Sequence, residues 1–212
     1  MTNQTDTQTA VRPETADIVA RVVIAGLFVG LAYRVGLNVI ETARLSGLLY
    51  LTNELLVVMF TITRRFASSV DRSAMARVAT LFATLGPLLA RPDARFVLFA
   101  EWVVVPLAMI GVGVVVVGKL SLGRSFGLLP AHRGIVSTGL YRLVRHPIYL
   151  GAFLTHLSFL LANATIWNVV VLVLADVFLI VRMDFEERLL VGDDEYRRYR
   201  EVVGYRLIPG LY

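Results

Sequence analysis

Between Trp102 and Gly118 the chain carries no charged side chain, and the apolar run around it, residues 96–118, is long enough to cross a bilayer. Five further apolar segments share the 212-residue chain: 18–40, 45–63, 74–90, 148–162 and 165–181. The first and fourth easily reach the roughly 20 residues a crossing needs, whereas the third, fifth and sixth are shorter. With 57% hydrophobic residues and a mean hydropathy of +0.69, the chain is too apolar for an ordinary soluble domain. Lipid offers backbone groups no partners, so only helices or closed barrels span it. No segment alternates as a strand would. The expected fold is all-α: a polytopic transmembrane helical bundle of about six segments, the last two a hairpin.

Loop charges test that count. The loop after the second segment holds Arg64, Arg65, Arg72 and Arg77, and the long loop after the fourth holds Lys119, Arg124, Arg133, Arg142 and Arg145 with no acidic residue. The C-terminal region adds Arg188, Arg197, Arg198, Arg200 and Arg206, while the alternate loops carry only Arg44, then Arg91 and Arg95, then nothing around Asn163. Six crossings with both termini cytoplasmic obey the positive-inside rule throughout. This also explains the formal charge of +5 better than nucleic acid does. Residues 1–15, rich in Thr and Gln, read as a disordered tail without the features of a cleaved signal peptide. Residues 16–118 then form a four-helix membrane region, and 119–212 carry the candidate chemistry.

There is no cysteine, and His132, His146 and His156 lack metal-ligand spacing, so no metal site is expected. Inside the apolar segments lie Glu54, Glu101, His156 and Asp176, with Arg21 and Arg34 in the first. A mid-helix charge costs about 2.5–3.5 kcal/mol on insertion scales, so each needs a partner or a wet cavity. Arg21 can snorkel from its helix end. Glu54 and Asp176 sit deepest, and His156, about one turn from Asp176 across the hairpin, is placed to bond it. Such residues suit pairing between helices at least as well as a substrate tunnel.

The stretch 139–151, Gly-Leu-Tyr-Arg-Leu-Val-Arg-His-Pro-Ile-Tyr-Leu-Gly, runs from a basic aromatic loop into the fifth apolar segment. His146 precedes proline and is pushed out of helical geometry, whereas Pro147 suits a first helical position. The open N–H groups of that turn, with Arg142 and Arg145, form an anion-attracting corner beside Tyr141 and Tyr149. Counted outward from the turn at 163–165, where Thr165 suits an N-cap, Pro147 is level with about Val181. Glu186 and Glu187 therefore emerge within one or two helical turns of the loop. Adjacent carboxylates diverge by about 100°, so one can pair with Arg182 at i−4 while the other binds a cation. At about 1.5 Å per residue the fifth segment spans only about 22 Å, which recesses the site into the bilayer, within reach of a lipid. After Gly192 a short amphipathic helix is expected, with Asp193/Arg197 and Asp194/Arg198 as surface pairs and Tyr196, Tyr199 and Val203 on one face.

Taken together, Tyr141-Arg142, Arg145-His146-Pro147, Tyr149, Gly151, Glu186-Glu187, Tyr196, Tyr199 and the ending from Arg206 to Pro209 resemble the isoprenylcysteine carboxyl methyltransferase family and the related phospholipid methyltransferases. Leu140 stands where the family pattern has proline. The resemblance covers roughly residues 120–212. It implies an S-adenosylmethionine site without a Rossmann domain, contacted by Tyr141, Arg145, His146, Pro147, Tyr149, Gly151 and Tyr199. It also implies that Glu186 or Glu187 meets the ammonium or ribose. No glycine-rich phosphate motif competes with it.

Methyl transfer to a carboxylate needs positioning more than acid–base help, and Arg206 or Arg182 would hold such an acceptor bidentately. An amine acceptor must lose a proton, for which Glu187 could serve. The favoured expectation is carboxyl O-methylation of a lipophilic isoprenoid or isoprenylcysteine-like acid by a multi-pass protein, in a bacterial inner membrane given the arginine-rich sequence. Phospholipid or other lipid N-methylation is the first alternative. An NADPH-dependent sterol-type membrane reductase, whose ending resembles residues 205–212, is the second, and a non-enzymatic membrane scaffold the third.

Overall fold

The structure is a computed structural model that describes residues 15–63, 69–70, 73–93, 95–122, 131–132 and 136–212. All six apolar segments are helical: α1 (Thr15–Thr42), α2 (Leu45–Thr63), α3 (Ala74–Leu88), α4 (Glu101–Leu122), α5 (Pro147–Ala162) and α6 (Ile166–Leu190). Helix α7 (Asp194–Val202) follows, and a two-residue pair, β1 (Ser69–Val70) with β2 (Ala131–His132), is the only extended pairing among the described residues. Three stretches, Arg21–Thr42, Glu101–Leu122 and Ile166–Leu190, are long and apolar enough to cross a membrane, and α2, α3 and α5 contribute shorter apolar helices.

The helix starts follow local chemistry. Ser73, Thr165 and Asp193 cap α3, α6 and α7 through side-chain oxygens that accept from backbone N–H groups two or three residues on. Pro147 opens α5, where its missing N–H costs nothing. Helix α2 has a distant cap: Glu101 Oε2 accepts from the N–H groups of Leu45 and Ser46, each at 3.0 Å, while Oε1 takes Arg44 Nε at 3.2 Å. Arg34 of α1 donates to the Leu88 carbonyl at 3.0 Å, satisfying the end of α3. Two of the apparent membrane charges are thus helix-end partners.

Helix α5 packs mainly on α4, and α6 mainly on α3. Small residues allow both contacts. A Cβ on Gly151 would lie 2.6 Å from the Gly111 carbonyl oxygen, and one on Gly86 would lie 2.9 Å from Ala175 Cβ. The hairpin turn holds, with Asn163 Nδ2 donating to Phe159 O and Asn168 Nδ2 to Asn163 O, yet its arms touch each other only lightly. Between them, His156 joins Asp176 of α6 at 2.6 Å and Glu54 of α2 at 3.6 Å. The expected His156–Asp176 bond is present, and Glu54 completes an interhelical trio.

Several placements differ from the sequence reading. Helix α4 starts at Glu101 rather than near Phe96 and continues to Leu122, so Lys119 is a helical residue only 1% exposed and not a loop cation. Arg77 lies in the first turns of α3. Arg197 pairs with Asp194 at i,i+3, and Arg198 Nε reaches the Asp194 carbonyl at 3.3 Å. Asp193 caps α7 instead of pairing at i,i+4, because the first N–H groups of that helix compete for its carboxylate. Arg64, Arg65, Arg72, Arg124, Arg133 and the N-terminal tail before Thr15 lie outside the described residues.

Candidate functional site

The loop before α5 is built to hold one conformation. A 3-10 turn, Gly139–Arg142, begins at Gly139 with φ of +59°, where a Cβ would also lie 2.6 Å from Ser121 Oγ. Beyond the turn, the N–H of Arg145 donates to Tyr205 O and that of His146 to Arg206 O, both at 2.9 Å. The segment after α7 therefore lies against the loop. Arg145 Nη1 reinforces this by donating to the carbonyls of Val203 and Gly204, both at 2.9 Å.

Glu187 is the hub. Its Oε1 accepts from Arg145 Nε at 2.8 Å and lies 3.1 Å from His146 Nε2, while its Oε2 takes Arg206 Nε at 3.0 Å and Nη2 at 2.9 Å. The residue is 3% exposed. An ionised carboxylate only accepts, so His146 Nε2 is the donor in this contact. Arg206 also donates to Asp184 Oδ1 at 2.9 Å and to the Tyr212 hydroxyl at 2.6 Å. Burial opposes its charge, but the Tyr212 hydrogen bond and the two carboxylates prevail and raise its pKa.

Glu186 is placed otherwise. Its side chain is 19% exposed, accepting from the Tyr149 hydroxyl at 2.7 Å and from Arg182 Nη2 at 3.3 Å. His146 Nδ1 lies 3.9 Å from Glu186 Oε2, and the rings of His146 and Tyr149 stack at 5.4 Å and 7°. The Arg182 guanidinium covers Tyr149, 5.5 Å from the ring centroid. The expected Arg182–Glu186 pair is present, and Asp184 pairs with Arg206.

Helix α7 closes the site with aromatic rings. Tyr141, Tyr196, Tyr199 and Val203 form one buried cluster. The Tyr199 hydroxyl donates to the Tyr141 carbonyl at 2.7 Å. Burial pushes the Tyr199 phenol up to about 12, against Arg145, which pulls it down, and with Glu187, which adds to the rise. Burial likewise raises Tyr141, with Glu186 and Tyr199 adding to it, and Tyr196, with Glu187 as the largest charged contributor to the rise. All three phenols are therefore neutral donors at ordinary pH.

Tyr141, Arg145, His146, Tyr149, Glu186, Glu187, Tyr199, Arg182 and Arg206 thus come together at one end of the bundle. Pro147 and Gly151 also make helix contacts: Pro147 Cγ lies against Gly118, and Gly151 is the contact point with Gly111 and Val115 of α4. Asp184, Tyr196 and Tyr212 were not read as site residues. Asp184 joins the site through Arg206, Tyr196 entered the sequence reading only through its helix face and the motif, and Tyr212 is brought in by the fold-back of the tail. Lys119, in the electrostatic field of Glu54 and Arg182, was hidden by the misplaced end of α4.

Residues 102–193 match the family model for phospholipid methyltransferase, a span from the start of α4 to the cap of α7 that includes the loop, α5, α6 and both glutamates. No curated protein matches the chain. The match indicates a membrane methyltransferase associated with lipids, and such enzymes use S-adenosylmethionine in general.

Proposed function

We propose that the chain is a multi-pass membrane methyltransferase that uses S-adenosylmethionine to methylate the nitrogen of a lipid, with the donor held between residues 145–149 and Glu186. The carrying observation is the division of labour between adjacent glutamates. Glu187 is buried and saturated by Arg145, His146 and Arg206, so it shapes the site, while Glu186 keeps an accessible carboxylate. A zwitterionic donor with a sulfonium fits this set: Glu186 suits its ammonium, and the neutral phenols and the stacked His146–Tyr149 pair suit its remaining groups. Bound there, S-adenosylmethionine would supply an electrophilic methyl group.

Nitrogen is favoured over carboxylate because Arg145 and Arg206 are already neutralised by Glu187 and Asp184. An ammonium acceptor must lose a proton before it can attack. His146 is the base of choice, since Nε2–H is held on Glu187 while Nδ1 lies 3.9 Å from Glu186 Oε2, beside the carboxylate proposed to take the donor. Glu187, with its lone pairs taken by two guanidiniums and an imidazole, is a poor one. A carboxylate acceptor is the second reading. The 3.3 Å Arg182–Glu186 contact favours Arg182 as its holder, because an ammonium taking Glu186 would free that guanidinium. The six crossings, the cytoplasmic termini and the recessed site belong to the same proposal.

The test is transfer of labelled methyl from S-adenosylmethionine by the purified protein in nanodiscs. Phosphatidylethanolamine and prenylcysteine serve as acceptor probes beside fractionated native lipids. Base-stable label on an amine lipid is expected. Label released as methanol by alkali would replace nitrogen by carboxylate, and thermal stabilisation by NADPH without any transfer would support the reductase reading.

A further inference from the structure

Tyr196 and Tyr199 stand three residues apart on α7, both buried and with ring centroids 5.9 Å apart. Their hydroxyls fare differently. That of Tyr199 donates to the Tyr141 carbonyl, tying α7 to the loop. That of Tyr196 has no hydrogen-bond partner among the described residues, although the residue is only 3% exposed. Buried polar atoms are nearly always paired, so an orphaned hydroxyl is an expensive choice over phenylalanine, which would fill the same space. Its surroundings suggest why it is there. Arg145, Glu186 and Glu187 are the charged groups that act on the phenol, together with Tyr199. Neighbouring carboxylates and burial keep it protonated, so it has a hydrogen to donate. Glu187 already serves three donors.

We infer that the Tyr196 hydroxyl is a donor-binding group, which hydrogen-bonds the α-carboxylate of S-adenosylmethionine. The inference rests on the proposed methyl-donor site. An ammonium on Glu186 brings its own carboxylate one carbon away, and the Tyr196 phenol lies within the electrostatic reach of Glu186. The two residues then read the two ends of the amino-acid zwitterion. Glu186 carries the opposite charge, and Tyr196 supplies a hydrogen bond that Arg145 cannot, since Arg145 is committed to Glu187 and to two carbonyls.

Calorimetric binding of S-adenosylhomocysteine to wild type, Tyr196→Phe and Tyr199→Phe in nanodiscs tests this, with thermal midpoints measured on the ligand-free proteins. A hydrogen bond to a charged group corresponds to roughly ten- to hundred-fold in affinity. Tyr196→Phe is expected to lose that much while its ligand-free midpoint stays level or rises. Tyr199→Phe should lower the midpoint. Decarboxylated S-adenosylmethionine, which keeps the ammonium, should bind wild type and Tyr196→Phe alike. Equal S-adenosylhomocysteine affinity in wild type and Tyr196→Phe overturns the inference while leaving the site reading intact. So does a midpoint that falls as in Tyr199→Phe, or an equal loss toward the decarboxylated probe. A wild type that binds neither probe overturns the site reading, and the inference with it.

Discussion

Glu187→Gln asks whether one carboxylate holds the site together. The substitution keeps the volume and removes the charge that Arg145, His146 and Arg206 share at 2.8–3.1 Å. Breaking a buried ion pair by removing one partner costs about 3–5 kcal/mol. Arg206 keeps Asp184 and its side chain is 24% exposed, and Arg145 keeps two carbonyls, so the lower figure applies. The loss falls on the contact between the loop and the returning segment, whose reporters are the N–H groups of Arg145 and His146 on Tyr205 O and Arg206 O. A local loss of about 3 kcal/mol corresponds to roughly a hundred-fold faster exchange of those amides. Hydrogen exchange with peptide-level mass spectrometry reads this directly, with Glu186→Gln as the control that leaves them protected. Unchanged protection in Glu187→Gln would show that the backbone pairing and the aromatic cluster suffice, and that Glu187 is not the keystone.

Four more outcomes follow from the same geometry. Glu186→Gln should weaken S-adenosylhomocysteine binding by roughly ten- to hundred-fold with little change in thermal midpoint, as calorimetry beside thermal denaturation would reveal. Gly151→Ala drives a Cβ to 2.6 Å from both the Gly111 carbonyl oxygen and Val115 Cγ2; an overpacking cost of about 1–3 kcal/mol should appear as a lower midpoint. Tyr199 ionises at about 12 when folded and near 10 when unfolded, so its neutral form favours the folded state below pH 10, and that contribution is lost as pH rises from about 10 through 12. Alkaline titration followed by circular dichroism should show this loss, and Tyr199→Phe should remove its share. His156→Leu leaves Glu54 and Asp176 without the imidazole between them and should destabilise the bundle strongly; Glu54→Gln with Asp176→Asn in the same chain should restore much of the loss, as a merely structural trio requires.

Much of the helical plan was legible in the sequence, because a run of apolar residues between charged loops has few ways to satisfy its backbone in lipid. The capping of α6 by Thr165, the proline start of α5 and the turn at 163–165 were equally local, set by the chemistry of three or four consecutive residues. Helical rise also placed Glu186 and Glu187 near the Arg-His-Pro loop, since counting along two connected helices is arithmetic. The His156–Asp176 bond came from the same arithmetic.

Tertiary structure decided everything that depends on which distant groups compete for one atom. Neighbouring glutamates look alike in sequence, yet three donors from two separate segments converge on Glu187 and leave Glu186 accessible. Lys119 reads as a loop cation until α4 is seen to continue past Gly118 and bury it. The glycine of the motif is used at a helix contact, and the orphaned Tyr196 hydroxyl is invisible without the packing that withholds water from it. Local propensity and hydrophobic period decide where helices form, because they are sums over adjacent residues. The partner of a buried charge or hydroxyl is a choice among groups far apart in the chain, and only the packed fold makes that choice.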